Sequence, residues 1–115
     1  PYGVVYDFVH TEAVLDYGQE PDIEAGRPFP VKVKLINKMP DCRHAELIWH
    51  LPEGWTVSPG PRSNVTLWMW GENKTDVQVE ILANDVGQGV YRGALEIVGQ
   101  GRHTVGHIPL VFFGK

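Results

Sequence analysis

Apolar and polar residues alternate with a period of two in stretch after stretch of this chain. Val31, Val33 and Leu35 alternate with Lys32, Lys34 and Ile36, and Val77, Val79 and Ile81 with Asp76, Gln78 and Glu80. Tyr91, Gly93, Leu95 and Ile97 alternate with Arg92, Ala94 and Glu96, while Ile108, Leu110 and Phe112 share one side of the last run. Successive side chains of an extended strand point to opposite faces, so each stretch reads as a strand with a dry face and a wet one. No segment keeps a helical period over the ~10 residues that a helix requires. The 13 glycines and 9 prolines fall between the runs as punctuation. Turn signals at intervals of ~8 to 12 residues lead to the expectation of an all-β protein, an antiparallel β-sandwich of about seven to nine strands, with a small barrel as the alternative.

The sharpest turn signal is Leu51-Pro52-Glu53-Gly54-Trp55. Pro52 sets φ for the second position of a type I turn that begins at Leu51, and Gly54 takes the fourth, where glycine is favoured. Ala45, Leu47, Trp49 and Leu51 alternate with His44, Glu46, Ile48 and His50 before it; Trp55 and Val57 alternate with Thr56 and Ser58 after it. The two halves are therefore expected to meet as neighbouring strands, with Trp55 covering one end of the core. Residues 3 to 9, or alternatively Ala13 to Tyr17, read as an opening edge strand, and Gly18 to Pro30 as connection. Pro109 has no N–H to give a ladder, which marks the last strand as an edge or a bulge. Trp49, mid-strand, sits where an immunoglobulin-type sandwich places a buried tryptophan.

With 115 residues the chain suits one domain, spanning 1–115. Its net charge of −4 and scattered basic residues argue against a nucleic-acid partner. No run reaches the ~20 apolar residues of a membrane helix, so no membrane partner is expected. The single cysteine, Cys42, excludes an intrachain disulfide. The opening residues lack the order of a signal peptide and begin at Pro1. The expectation is a domain excised from the C-terminal part of a larger protein, with a cytoplasmic location favoured.

The strand ending near Asn37, then Leu51-Pro52-Glu53-Gly54-Trp55-Thr56-Val57, then Thr75 leading Val77-Gln78-Val79, then Gly89-Val90-Tyr91 resembles the immunoglobulin-like accessory domain of α-galactosidases and other glycosidases. The resemblance covers about residues 24 to 98. Asp16-Tyr17-Gly18, together with the run from Gly101 to Leu110, is similar to the C-terminal β domain of some bacterial ADP-ribosylglycohydrolase-like proteins. These resemblances imply a non-catalytic accessory domain whose partner is the catalytic domain of the same polypeptide, and no catalytic, cofactor or metal residue is carried onto this chain. Trp68 and Trp70 depart from the pattern, which has small or aliphatic residues there.

The residues themselves offer little chemistry. His103 and His107, four apart, would lie ~13 Å apart on a strand, and His44 and His50 ~20 Å, too far to share one ion. Glu46, Asp76, Glu80 and Glu96 fall on outward strand positions, where carboxylates solvate a sheet. There is no Gly-x-Ser-x-Gly elbow. The Gly87-Gln88-Gly89 and Gly99-Gln100-Gly101 triplets lack the third glycine and the helix of a phosphate loop. Asn64-Val65-Thr66 and Asn73-Lys74-Thr75 match the glycosylation pattern at a frequency near chance. Trp68 and Trp70, two residues apart and ~7 Å along a strand, form with Tyr17 the candidate interaction surface. They could stack on successive sugar rings, as in a carbohydrate-binding module, or bury against a neighbouring domain.

Overall fold

A computed structural model of the chain describes residues 2–8, 10–68 and 73–115. Its strands are β1 (Gly3–Asp7), β2 (Thr11–Asp16), β3 (Asp22–Ile23), β4 (Phe29–Asn37), β5 (Arg43–His50), β6 (Thr56–Ser58), β7 (Arg62–Leu67), β8 (Lys74–Leu82), β9 (Gly89–Gly99) and β10 (Thr104–Gly114). They form two five-stranded sheets, ordered β1-β2-β4-β8-β6 and β3-β10-β9-β5-β7. The fold is an immunoglobulin-like β-sandwich of ten strands, antiparallel except where the two residues of β3 run parallel to the end of β10. The barrel alternative does not hold, because each sheet keeps two separate edges.

The core follows from the alternation. Ala13 and Leu15 of β2, Val31, Val33 and Leu35 of β4, and Val79 and Ile81 of β8 turn inward from the first sheet and are buried. Ala45, Leu47 and Trp49 of β5, Leu95 and Ile97 of β9, and Ile108, Leu110 and Phe112 of β10 meet them from the second. At ~2 kcal/mol for each fully buried Val, Leu, Ile or Phe side chain, this layer is the main source of stability. Trp49 is buried as its position suggests, and its indole N–H has no protein partner.

Aromatic rings close one end of the sandwich. Phe112 meets Tyr17, Phe29 and Trp55 with ring centroids 5.6 Å apart in each pair, all edge-on. Trp55 also leans on Tyr91 at 5.4 Å, so it covers the end of the core as expected. At the opposite end, buried Asn37 organises the loops. Its Nδ2 donates to the carbonyl of Asp41 at 2.8 Å and lies 3.3 Å from those of Leu67 and Trp68. Its Oδ1 accepts from the Met39 N–H at 3.0 Å.

The Leu51–Trp55 turn differs from its sequence reading in two ways. The Trp55 N–H donates to the Pro52 carbonyl at 3.1 Å, so the turn starts one residue later than expected. Gly54 occupies its third position with φ +85°, the conformation of a type II turn. The flanking strands also do not pair. β5 lies between β7 and β9 in the second sheet, whereas β6 pairs with β8 in the first, so the turn carries the chain across the core.

Pro109 shows the same logic at an edge. The Val111 and Phe113 N–H groups of β10 point away from β9, to the Tyr17 hydroxyl at 3.0 Å and the Pro21 carbonyl at 2.8 Å. By the same alternation the nitrogen of Pro109 faces that outer side, where no ladder bond is lost. The bulge lies a few residues earlier, between Thr104 and Gly106.

A valine at position 54 would have to adopt a left-handed backbone, at a cost of roughly 1–2 kcal/mol or more. Glu53 is exposed, so its replacement by alanine should change stability by less than about 0.5 kcal/mol. Thermal unfolding should show Gly54→Val melting at least about 4 °C below Glu53→Ala. Equal midpoints would contradict the turn geometry.

Candidate interaction face

The three aromatic residues singled out from the sequence do not form one surface. Tyr17 follows β2 at the Asp16–Lys32 end of the first sheet, and its ring packs edge-on against Phe29 and Phe112. Its hydroxyl caps the Val111 N–H in the other sheet, and burial pushes its pKa above the ordinary tyrosine value. Trp68 follows β7 beside Asn37, which pairs with Thr11 at the far end of β2. Thr11 and Tyr17 are separated by six residues along this strand direction, ~20 Å. The Trp68 ring is 53% exposed. Trp70 lies outside the described residues.

Most of the polar chemistry lies on the outer face of the second sheet. There β5, β9 and β10 lie side by side, and outward positions alternate with the core residues of each strand. Glu96 of β9 stands opposite His107 of β10. Its Oε1 lies 2.9 Å from His50 Nε2 of β5, and its Oε2 accepts from the Thr104 hydroxyl at 2.5 Å. The Thr104 and His50 hydrogen bonds, in that order, hold the Glu96 carboxyl below its ordinary pKa, and the neighbouring histidines add to the effect. The sequence gives no spacing signal for this group, since its members come from three strands and lie up to 57 residues apart. Beside it, a shallow groove of about 700 Å³ runs over Ile48 and Val98, with Arg62, paired to Glu46 at 3.5 Å, and Arg102 on its walls.

This arrangement can hold and orient polar groups, but it lacks the geometry of nucleophilic catalysis. The one hydroxyl in the cluster donates to the carboxylate rather than to the imidazole, so no histidine is placed to activate it. Cys42 lies in the β4–β5 loop as a free, half-buried thiol. Among the described residues no three His, Cys, Asp or Glu side chains converge as a metal site. Of the two glycosylation-pattern asparagines, Asn64 is exposed on β7, whereas Asn73 donates to the Asn37 carbonyl at 3.1 Å.

Toward the aromatic end the same face becomes more apolar. Phe113 of β10 stands opposite Val90 of β9, and Pro109 opposite Ala94, with Val111 between them on β10 set against the exposed Arg92 of β9. Val90 and Phe113 are 53% and 40% exposed. The outer face of the first sheet is different, with Lys34 opposite Asp76 and Lys32 opposite Gln78 between β4 and β8. One outer face is solvated by charge, and the other carries an apolar strip.

No protein-family model matches the chain, and no curated protein matches it by sequence. Solved structures do share its fold. A FixG-related protein from Vibrio parahaemolyticus superposes with a TM-score of 0.66 at 11% identity, over 96% of this chain and 99% of that one. The ASH/PapD-like domain of human CEP192 (PapD-like domain 7) gives 0.52 at 13% identity, over 94% and 85%. The cupredoxin domain of amoB from Nitrosocaldus yellowstonii gives 0.50 at 11% identity, over 76% and 56%. None of these three is a galactosidase accessory domain or an ADP-ribosylglycohydrolase. At these identities the likeness is one of fold.

Because the Glu96 pKa is depressed on folding, its contribution to stability is present above the ordinary glutamate pKa of ~4.3 and is lost as pH falls through the lower folded value. Glu96→Gln should therefore flatten the acid limb of a melting-temperature profile between about pH 5 and pH 3. Parallel wild-type and variant profiles would show that the cluster does not hold the carboxylate.

Proposed function

We propose that this domain is a non-catalytic accessory module that docks through the outer face of its second sheet. The partner is the catalytic domain of its own polypeptide, a hydrolase of the ADP-ribosylglycohydrolase-like or glycosidase kind that the sequence resemblance implies. The observation that carries this reading is the apolar strip of Val90, Phe113, Val111, Ala94 and Pro109, bordered by the Glu96 cluster and its groove. An apolar patch with a polar rim has the make-up of a domain interface, in which the strip supplies desolvation and the rim fixes orientation. The charged outer face of the first sheet has no such strip, so it stays in water.

The test is a double substitution, Val90→Asp with Phe113→Asp. Both side chains already face solvent, so the isolated domain should keep its unfolding midpoint within a few degrees. In the polypeptide that carries the catalytic domain, the pair should uncouple the two domains, turning one calorimetric transition into two and speeding linker proteolysis several-fold. Unchanged coupling would rule out this face as the docking surface.

A carbohydrate-binding role is the second reading, and the exposed Trp68 indole is the observation that favours it. Titration with a panel of oligosaccharides should then change tryptophan fluorescence in the wild type and not in Trp68→Ala. On the docking reading no oligosaccharide changes it.

A further inference from the structure

The first sheet has an edge whose backbone groups are free of partners and whose side chains are apolar. β1 is its outermost strand and pairs only with β2. The Tyr2 carbonyl accepts from the Tyr17 N–H at 3.4 Å, and the Phe8 N–H donates to the Thr11 carbonyl at 2.8 Å. Alternate residues of an antiparallel strand carry the ladder bonds. Tyr2, Val4, Tyr6 and Phe8 therefore turn their N–H and C=O groups toward β2, and Gly3, Val5 and Asp7 turn theirs outward. Among the described residues, no group outside the strand bonds to the backbone N–H or C=O of those three, and the Asp7 carboxylate alone is engaged, by Lys38.

The other edges are shorter or more polar. β3 is two residues long, and beside it the outward N–H groups of β10 go to Tyr17 and Pro21. β6 has three residues and runs into Pro59 and Pro61. β7 reads Arg62-Ser63-Asn64-Val65-Thr66-Leu67, with polar Arg62, Asn64 and Thr66 at its outward backbone positions, and the Thr66 carbonyl accepts from the Thr75 side chain at 3.1 Å. β1 by contrast reads Gly-Val-Val-Tyr before its one charge at Asp7, and Val4 and Val5 are 45% and 60% exposed. Natural sheets normally blunt such an edge with charge, proline or short length.

We propose that β1 pairs antiparallel with β1 of a second copy of this chain, in a register centred on Val5. In that register Val5 faces Val5 of the other copy, and Gly3 faces Asp7 in both directions. These are the residues whose backbone groups point outward, so each such pair exchanges two hydrogen bonds. Val4 then stands opposite Tyr6 in the closer, non-hydrogen-bonded pairs, and each copy's exposed valine is covered by the other's tyrosine. No like charges face each other, and Asp7 is already paired with Lys38. A second copy fits this edge because the single register that pairs all three outward residues also sets Val4 against Tyr6 and brings no like charges together, and the two-fold axis repeats each of these pairs. The first sheets of the two copies become one continuous sheet across the two-fold axis. This assembly is independent of the docking face, which lies on the other sheet.

A five-residue strand buries less than a standard-size interface, so the dimer should be weak. Sedimentation equilibrium of the chain up to about 1 mM, where a weak complex is populated, should show its mass rising from monomer to dimer. Val5→Pro removes the central outward N–H without touching a bond to β2, and proline is tolerated at a strand edge. It should stay monomeric at every concentration. Val5→Lys, which keeps the N–H but opposes like charges across the axis, should weaken association at least about tenfold and regain part of it in high salt. Amide exchange of Val5 should slow as the wild-type concentration rises, with exchange in the core unchanged. A wild type that remains monomeric up to about 1 mM, or a dimer that survives Val5→Pro intact, would overturn the proposal.

Discussion

The packing of Phe112 is the contact on which the rest of the molecule depends. Its ring lies 5.6 Å from those of Tyr17, Phe29 and Trp55, which come from the end of β2, the start of β4 and the turn after β5. Edge-on aromatic pairs add roughly 0.5–1.5 kcal/mol each beyond the area they bury. The cluster therefore binds the two sheets at this end of the core. It also sets the position of the Tyr17 hydroxyl, which reaches across to the backbone of β10. One residue thus contributes packing within the sandwich and closes part of an edge.

Edges and outer faces together decide how this domain meets other molecules. A sandwich of two open sheets has four edges, and here shortness and proline blunt β3 and β6, polar residues blunt β7, and β1 is left apolar. Of the two outer faces, one sets opposite charges on facing strand positions, as with Lys34 and Asp76. The other divides into a polar half around Glu96 and an apolar half around Val90 and Phe113. Interaction capacity is concentrated where the polypeptide has not neutralised its own surface.

The all-β sandwich and most of its core could be read from the sequence, because burying one face of a strand imposes alternation on local residues such as Val31, Val33 and Leu35. What could not be read depends on partners distant in sequence. Pro52 and Gly54 fit two turn registers equally well, and only the positive φ at Gly54 selects one. A turn signal also says nothing about whether the next strand stays in the same sheet, which is decided by pairing of β6 with β8. Tyr17 beside a glycine looks like a surface aromatic until Val111, 94 residues away, is placed against it. The Glu96 cluster draws on three strands for the same reason, and no spacing within one strand could announce it. Residues 3 to 9, read as an edge strand, do contain the outermost strand of the first sheet. Its open hydrogen-bonding side becomes visible only once the pairing with β2 is known.

The parallel contact between β3 and the last residues of β10 has a consequence for synthesis in the cell. Phe113 and Gly114 leave the ribosome about 90 residues after Asp22 and Ile23, yet they pair with them. Until β10 emerges, Ile23, Phe29 and Trp55 lack Phe112 and the strand that bears it, and β9 presents an unpaired side along its length. Closing this circuit across most of the domain gives the fold a high contact order and delays its completion until β10 has emerged. A ribosome-bound nascent chain would expose the inner faces of both sheets, and shielding them falls to whatever binds it first.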